Sequence, residues 1–296
     1  MSAGADERAG GRGRDMTVTG IDVTAAPAGG EGGSGRVEAP NAHDLSRLTS
    51  PEADEVTRDN GIAVIPLGSV EQHGPHLPNG TDTIAAELVA RAVAARLGAL
   101  YVPFAPYGVT PIHAGWPGTI SLRRETFEAL LTDVCTELTG LGTRAFVLVN
   151  WHEGNIASMD AVATKVQAEL GATFVSAQAC YVAQRLYREQ GGELTHGGGI
   201  EALAVMAHDA SLVRLDRAGE PHRPPGAAEL DEMRRSREVY GYVTDVGELT
   251  EEGWYGEPHW AKPDLAAEFA DTVADGVVEL VESVLKARQR SDDTEG

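Results

Sequence analysis

Cysteine is nearly absent from this chain. Among 296 residues there are two, Cys135 and Cys180, each in an apolar-rich segment. The spacing suggests no disulfide framework, and two buried free thiols in a reducing cytoplasm are the expectation. Long hydrophobic runs are missing too, since none approaches the ~20 residues of a membrane-spanning helix. The first residues, MSAGADERAGGRGRDM, are charged and lack an apolar stretch, so no secretory signal is expected. Basic residues are scarce, with 24 Lys+Arg against 45 Asp+Glu for a net charge of −21. So acidic a surface repels phosphate backbones and anionic lipid, which argues against nucleic-acid or membrane partners and leaves a small-molecule substrate. Several catalytic signatures are also missing. There is no GxSxG nucleophile elbow and no GxxxxGK phosphate loop, and the Gly-rich HGGGIE follows no clear strand. Neither cysteine has the surroundings of a nucleophile.

What remains is a regular alternation. Residues 1–40 are Gly-, Ala- and Ser-rich without hydrophobic periodicity, the composition of a disordered extension. A domain is expected over residues 44–285, followed by a frayed acidic tail over 286–296. Within the domain, GIAVIPLG reads as a buried strand. DTIAAELVARAVAARLG follows as a helix, with Ile84, Leu88, Val89, Ala92 and Val93 at helical spacing and Gly98 as its stop. LYVPFAPYG, RAFVLVN and ATFVSAQAC read as further strands. RRETFEALLTDVCTELTGLG, NIASMDAVATKVQAELG, GIEALAVMAHD and the long segment from Asp264 to Arg288 read as helices. Continuous apolar strands alternating with helices predict an α/β fold: a three-layer α/β/α arrangement around a mostly parallel sheet. Ligands of such sheets bind beyond the carboxyl ends of the strands.

The polar clusters fall in those places. GSVEQHGPHLPNGTD follows the first strand and brings Glu71, His73, His76 and Asp82 within twelve residues. YGVTPIHAGWPGT, with His113 and Trp116, follows the second. NWHEGN, with Asn150, Trp151, His152, Glu153 and Asn155, follows the third. THGGGIE carries Thr195, His196 and Glu201 into a helix. In extended backbone Glu71 and His73 share one side. Asp82 stands where it could cap a helix or reach a metal. Histidines gathered with carboxylates at neighbouring strand ends point to a divalent metal: zinc foremost, with manganese or iron also suited to imidazole and carboxylate ligands.

These blocks resemble the creatininase (creatinine amidohydrolase) family. The likeness spans roughly residues 44–285 and rests on IPLGSVEQHGPHLPNGTD, HAGWPGTISL, FVLVNWHEGN, HGGGIEALAVMAHD and GEP, in that order. The resemblance implies a creatininase-like α/β/α fold, a cytoplasmic homohexamer and a centre of two divalent metal ions. It implies that Glu71 and His152 hold one ion, that His73 holds the other and that Asp82 bridges them. The family's remaining carboxylate has no match at Gly154, so Glu201 is expected as the fifth ligand, with Glu153 as the fallback. His196 matches a histidine that passes protons to the leaving nitrogen. The implied activity is hydrolysis of a non-peptide C–N bond in a small or cyclic amide through a metal-bridging hydroxide. Two alternatives are a lactam-forming enzyme with the same centre and a non-catalytic relative.

The sequence departs from the family around the proposed pocket. Trp151 and Glu153 replace glycines, Ala202 and Leu203 replace a Thr-Ser pair, and Thr195 replaces a glutamate. These changes weigh against creatinine as substrate. Trp151, Glu153, His113, Trp116 and Thr195 are the expected substrate contacts, with core packing left open for both tryptophans. His76 is expected to orient a ligand from behind. Pro117, Gly118 and Thr119 form a turn, and Asn150 and Asn155 are expected to brace the loop around His152.

Overall fold

The computed structural model describes residues 43–191, 193–236 and 238–295, the side chains of 289 and 291–295 excepted. The extension expected over residues 1–40 lies outside them. The strands are β1 (His43–Asp44), β2 (Ile62–Leu67), β3 (Leu100–Tyr101), β4 (Ala145–Asn150) and β5 (Thr173–Gln178). The α-helices are α1 (Ser50–Asp59), α2 (Thr81–Leu97), α3 (Arg124–Gly140), α4 (Ile156–Leu170), α5 (Ala179–Leu186), α6 (Gly199–Asp209), α7 (Ala227–Ser236) and α8 (Pro263–Glu295). The strands form one sheet in the order β1-β3-β2-β4-β5, and every pairing is parallel.

The central strands are apolar throughout because both faces of the sheet are covered. Val64, Val147, Val149 and Val175 face a core built with α2, α5, α6 and α8. Ala63, Ile65, Leu67, Phe146 and Leu148 face a second core built with α3 and α4. The predicted three layers are therefore present. β2 and β4 pair in register from Ile62–Ala145 to Leu67–Asn150, and Asn150 in turn pairs with Gln178. The strands thus end at one level, and the loops leaving β2 and β4 start side by side.

Some boundaries differ from the sequence pattern. LYVPFAPYG keeps only Leu100–Tyr101 as strand, since Pro103 and Pro106 have no N–H to offer a ladder. Strand ATFVSAQAC ends at Gln178, and Ala179 and Cys180 begin α5. β1, α1 and α7 have no counterpart in the hydrophobic pattern. The last helix continues to Glu295, into the segment read as a tail. Among the described residues no helix is long and apolar enough to cross a membrane.

One close approach positions the site. A Cβ on Gly68 would stand 2.5 Å from the Thr83 backbone, so glycine alone lets the end of β2 lie against the start of α2. Phe146 is fully buried in β4 and stacks on Phe174 with 4.8 Å between ring centroids. Phe146→Ala should cost about 3–5 kcal/mol, read as a lowered denaturant midpoint at unchanged slope.

Candidate metal centre

The loop after β2 folds back on itself before entering α2. The Val70 backbone bridges to Ile120, and the Glu71 N–H donates to the Asn79 carbonyl at 2.8 Å. This closure carries Glu71 and His73 into the interior, 2% and 0% exposed. Asp82 sits in the first turn of α2 and does not cap it. The cap position is Gly80, and the Asp82 carboxylate points inward and accepts the Ser69 hydroxyl at 2.8 Å. His152 follows β4. Glu201 lies in the first turn of α6, where its carboxylate accepts the Gly197 N–H at 2.6 Å.

Three stretches distant in sequence, residues 71–82, His152 and Glu201, thereby converge. Asp82 Oδ2 is 3.0 Å from His152 Nδ1, and Glu71 Oε2 is 3.5 Å from the same nitrogen. Asp82 Oδ1 is 3.3 Å from His73 Nε2, and Glu201 Oε2 is 3.8 Å from it. Two buried triads result, Glu71–Asp82–His152 and His73–Asp82–Glu201, each offering three donor atoms within 4.8 Å of one another and both sharing Asp82. The far nitrogens of both imidazoles are engaged. His73 Nδ1 donates to the Glu71 carbonyl at 3.0 Å, and His152 Nε2 donates to the Val109 carbonyl at 3.1 Å. These bonds fix the tautomers so that the inward nitrogens carry lone pairs, as metal-binding histidines require. Glu71 Oε2 and His73 Nε2 are buried without any hydrogen-bond partner. Orphaned buried acceptors are costly, and a cation placed among them would satisfy both. The residues fit a pair of divalent ions.

The electrostatics agree with that fit. Burial lowers the His73 pKa, but the Asp82 and Glu201 carboxylates outweigh it and push it up to about 10. His152 is likewise opposed by burial and pushed up to about 9 by Glu71 and Asp82. Burial raises Asp82, yet the two histidines hold its carboxyl well below the usual range. Glu201 is raised to about 8, mainly by burial. Without an ion, protons on His73 and His152 supply the missing positive charge.

Other predicted residues take different places. His196 and His113 line the same cavity as the triads, with His196 stacked between the His73 and His113 rings at 4.3 Å from each. His196 Nε2 donates to the Gln72 carbonyl at 2.6 Å, and its Nδ1 faces Glu71 Oε1 at 3.7 Å. Burial, then the charge on the neighbouring His73, hold its pKa well below the ordinary value, so it is neutral. His76 lies behind the site, donating from Nε2 to the Gly197 carbonyl at 2.7 Å with its ring edge-on to Trp254. Asn155 braces three segments, donating to the Gly68 carbonyl and accepting the Val109 N–H, both at 2.9 Å. Asn150 donates to the His152 carbonyl at 2.8 Å. Trp151 and Thr195 line the cavity; Trp116 does not. Cys180 also reaches the cavity, but burial pushes its thiol well above the ordinary value.

Glu153 is not brought to the triads. Its carboxylate is held by Arg234 at 3.1 Å, Arg235 at 3.2 Å and the Tyr181 hydroxyl at 3.0 Å. The fallback ligand is thus committed elsewhere, while Glu201 stands beside His73 and Asp82 in the second triad. Gly154 cannot be that ligand's position in this backbone either. A Cβ there would run into the Val109 carbonyl oxygen and His152 Nε2. Sequence patterns missed Arg124, Arg234, Arg235 and Tyr255, all of which line the cavity, and Gln72. The Gln72 amide N–H groups donate to His113 Nδ1, at 3.1 Å, and to the Gly253 carbonyl. Only its place between Glu71 and His73 could have marked Gln72.

The family model described as creatininase, creatinine amidohydrolase, matches residues 46–281. The chain belongs to the creatininase family. A mycofactocin precursor peptide peptidase from Mycobacterium tuberculosis is 31% identical over 224 residues, covering 72% of this chain and 82% of the relative. A creatinine amidohydrolase from Pseudomonas putida is 30% identical over 193 residues, covering 58% of this chain and 74% of that protein. A solved structure titled creatininase Mn superposes with a TM-score of 0.64 at 23% identity, covering 82% of this chain and 98% of that one. The fold is therefore that of creatininases, and the chain is a divergent member of a hydrolase family.

Protonated imidazoles and metal ions compete for the same nitrogens. Because the metal-free pKa values of His73, His152 and Glu201 lie at about 10, 9 and 8, adding zinc at pH 7.5 should release roughly two to three protons, and apparent metal affinity should rise with pH up to about 10. Calorimetry in buffers of different ionisation enthalpy measures the release. By metal analysis, Glu201→Gln should bind fewer ions than the parent, and Glu153→Gln should bind as many.

Proposed function

We propose that the protein is a metal-dependent amidohydrolase that cleaves the C–N bond of a small or cyclic amide. One observation carries the reading: two carboxylate–imidazole triads share Asp82, which lines a cavity of about 210 Å3. Zinc, manganese or iron held there would polarise a carbonyl and lower the pKa of a water molecule. Glu71, Asp82 and His152 would hold one ion, and His73, Asp82 and Glu201 the other.

The chain's own residues supply the remainder. His196 is neutral with its Nδ1 unprotonated, so it accepts a proton during attack and returns it to the departing nitrogen. The bond from its Nε2 to the Gln72 carbonyl holds the ring in place for both transfers. Gln72 holds His113 in the tautomer with hydrogen on Nε2, directed toward Glu71 Oε1 at 3.7 Å. The Trp151 ring, 2% exposed and edge-on to Phe269, is a rigid piece of the cavity wall. Thr195 stands where creatininase has a glutamate, and with Trp151 it alters the surroundings of the substrate, which supports a substrate other than creatinine. The peptidase name of one relative makes an amide within a peptide the neighbouring possibility in chemistry, since both reactions break the same bond.

Asp82→Ala removes the shared ligand. It should abolish stoichiometric binding of both ions and lower kcat by at least about a hundredfold on any amide the parent hydrolyses. Retention of both metal and activity in that variant would sink the reading. His196→Ala, by contrast, should keep its metals and lose kcat.

A further inference from the structure

The outer part of the cavity is cationic, in a chain whose net charge is −21. Arg124, the first residue of α3, and Arg234 and Arg235 of α7 all line it. Two carboxylates answer them incompletely. Glu153 takes Arg234 Nη2 at 3.1 Å and Arg235 Nη1 at 3.2 Å. Asp231 takes Arg234 Nη2 at 2.9 Å and Arg235 Nε at 3.3 Å. Arg235 Nη2 donates to the Tyr255 hydroxyl at 3.2 Å, so Arg235 is committed at all three nitrogens. A guanidinium offers five N–H groups. Arg234 Nη1 has no acceptor among the described residues, and Arg124 has no ion pair there.

Arg223 shares Asp231 as well, at 3.9 Å, so the guanidiniums gathered here outnumber the two carboxylates that answer them. Glu71, Asp82 and Glu201 do not make up the difference, because the metal centre uses them. The unanswered guanidinium N–H groups of Arg124 and Arg234 call for an anionic acceptor. A carboxylate meets that need and pairs with guanidinium N–H groups side by side.

We propose that the substrate bears a carboxylate in addition to its scissile amide, and that Arg124 and Arg234 receive it. The ion pairs from Glu153 and Asp231 keep Arg234 and Arg235 extended toward the cavity, which makes those two acids positioning residues. The proposal rests on the amide-hydrolase reading for the reaction, though not for the anion site itself.

The test compares matched acids and neutral amides on the zinc-loaded full chain. Hippurate and hippuramide represent small acids; Gly-Gly-Phe and its C-terminal amide represent a peptide end. The acid of at least one pair should show a kcat/KM roughly tenfold or more above its neutral partner. In Arg124→Gln, which alters an exposed side chain, that ratio should fall toward one. Whichever pair shows the effect identifies the source of the carboxylate. Equal rates for acid and amide, or a ratio unmoved by Arg124→Gln, overturn the proposal. If no compound turns over, calorimetric binding of the same pairs decides. Tighter binding of an acid, lost in Arg124→Gln, supports the anion site while counting against amide hydrolysis. Equal binding of acid and amide, or acid binding indifferent to the substitution, overturns the site.

Discussion

The two oxygens of Asp82 hold this site together. One faces His73 and the other faces His152, and the Ser69 hydroxyl fixes the carboxylate between them. Everything else in the fold contributes to placing that group. β2 and β4 must end at one level for the two histidines to approach it. α2 must begin hard against the end of β2 for the carboxylate to point inward, and that contact needs a glycine at position 68. The sheet is a rigid table, and Asp82 is where loops of separate strands are pinned to a common point. An isolated carboxylate buried this deeply would be untenable, so its tolerance depends on cations beside it, whether protons on imidazole or bound metal.

The sheet core and half of the centre can be read from sequence because their signals are local. Apolar runs such as Ile62–Leu67 and Ala145–Asn150 announce buried parallel strands. Glu71, His73 and Asp82 fall within one loop, where spacing alone suggests a shared purpose. Glu201 is different. It stands 119 positions beyond Asp82, and only the likeness of the HGGGIE block to the family connects the two. Glu153 shows the limit of adjacency: it neighbours His152, but its side chain turns to Arg234 and Arg235. Those arginines have no pattern to betray them. On a ten-residue helix with little apolar content, they read as a solvated face. Their role depends on where α7 packs, which no short-range signal encodes. β1 escapes detection because two residues are too few for a period, and α1 shows only its Thr49–Glu52 capping box.

Charge is partitioned on two scales. The whole chain is strongly acidic, yet the lining of one cavity gathers arginines. The net acidity opposes anions at long range, while the arginines, Arg124 among them exposed, act on what comes close to the cavity. Deep in the cavity the neutral His196 lies between His73 and His113, so a proton it accepts is poorly tolerated and readily given up.

The cavity has two walls of unlike construction. The residues of the two triads stand beyond the ends of sheet strands and on the first turns of α2 and α6. Part of the opposite lining, including Val243, Val246, Leu249 and Tyr255, comes from the segment between α6 and α8, where α7 is the one α-helix among the described residues and the other helical pieces are single 3-10 turns. Such loosely patterned chain tolerates substitution and insertion far better than a buried sheet does. The triads and the rest of the cavity lining can therefore drift at different rates. A lineage could exchange one substrate for another by rebuilding this segment while the strand ends stay as they are, a form of evolvability that the division of the site makes possible.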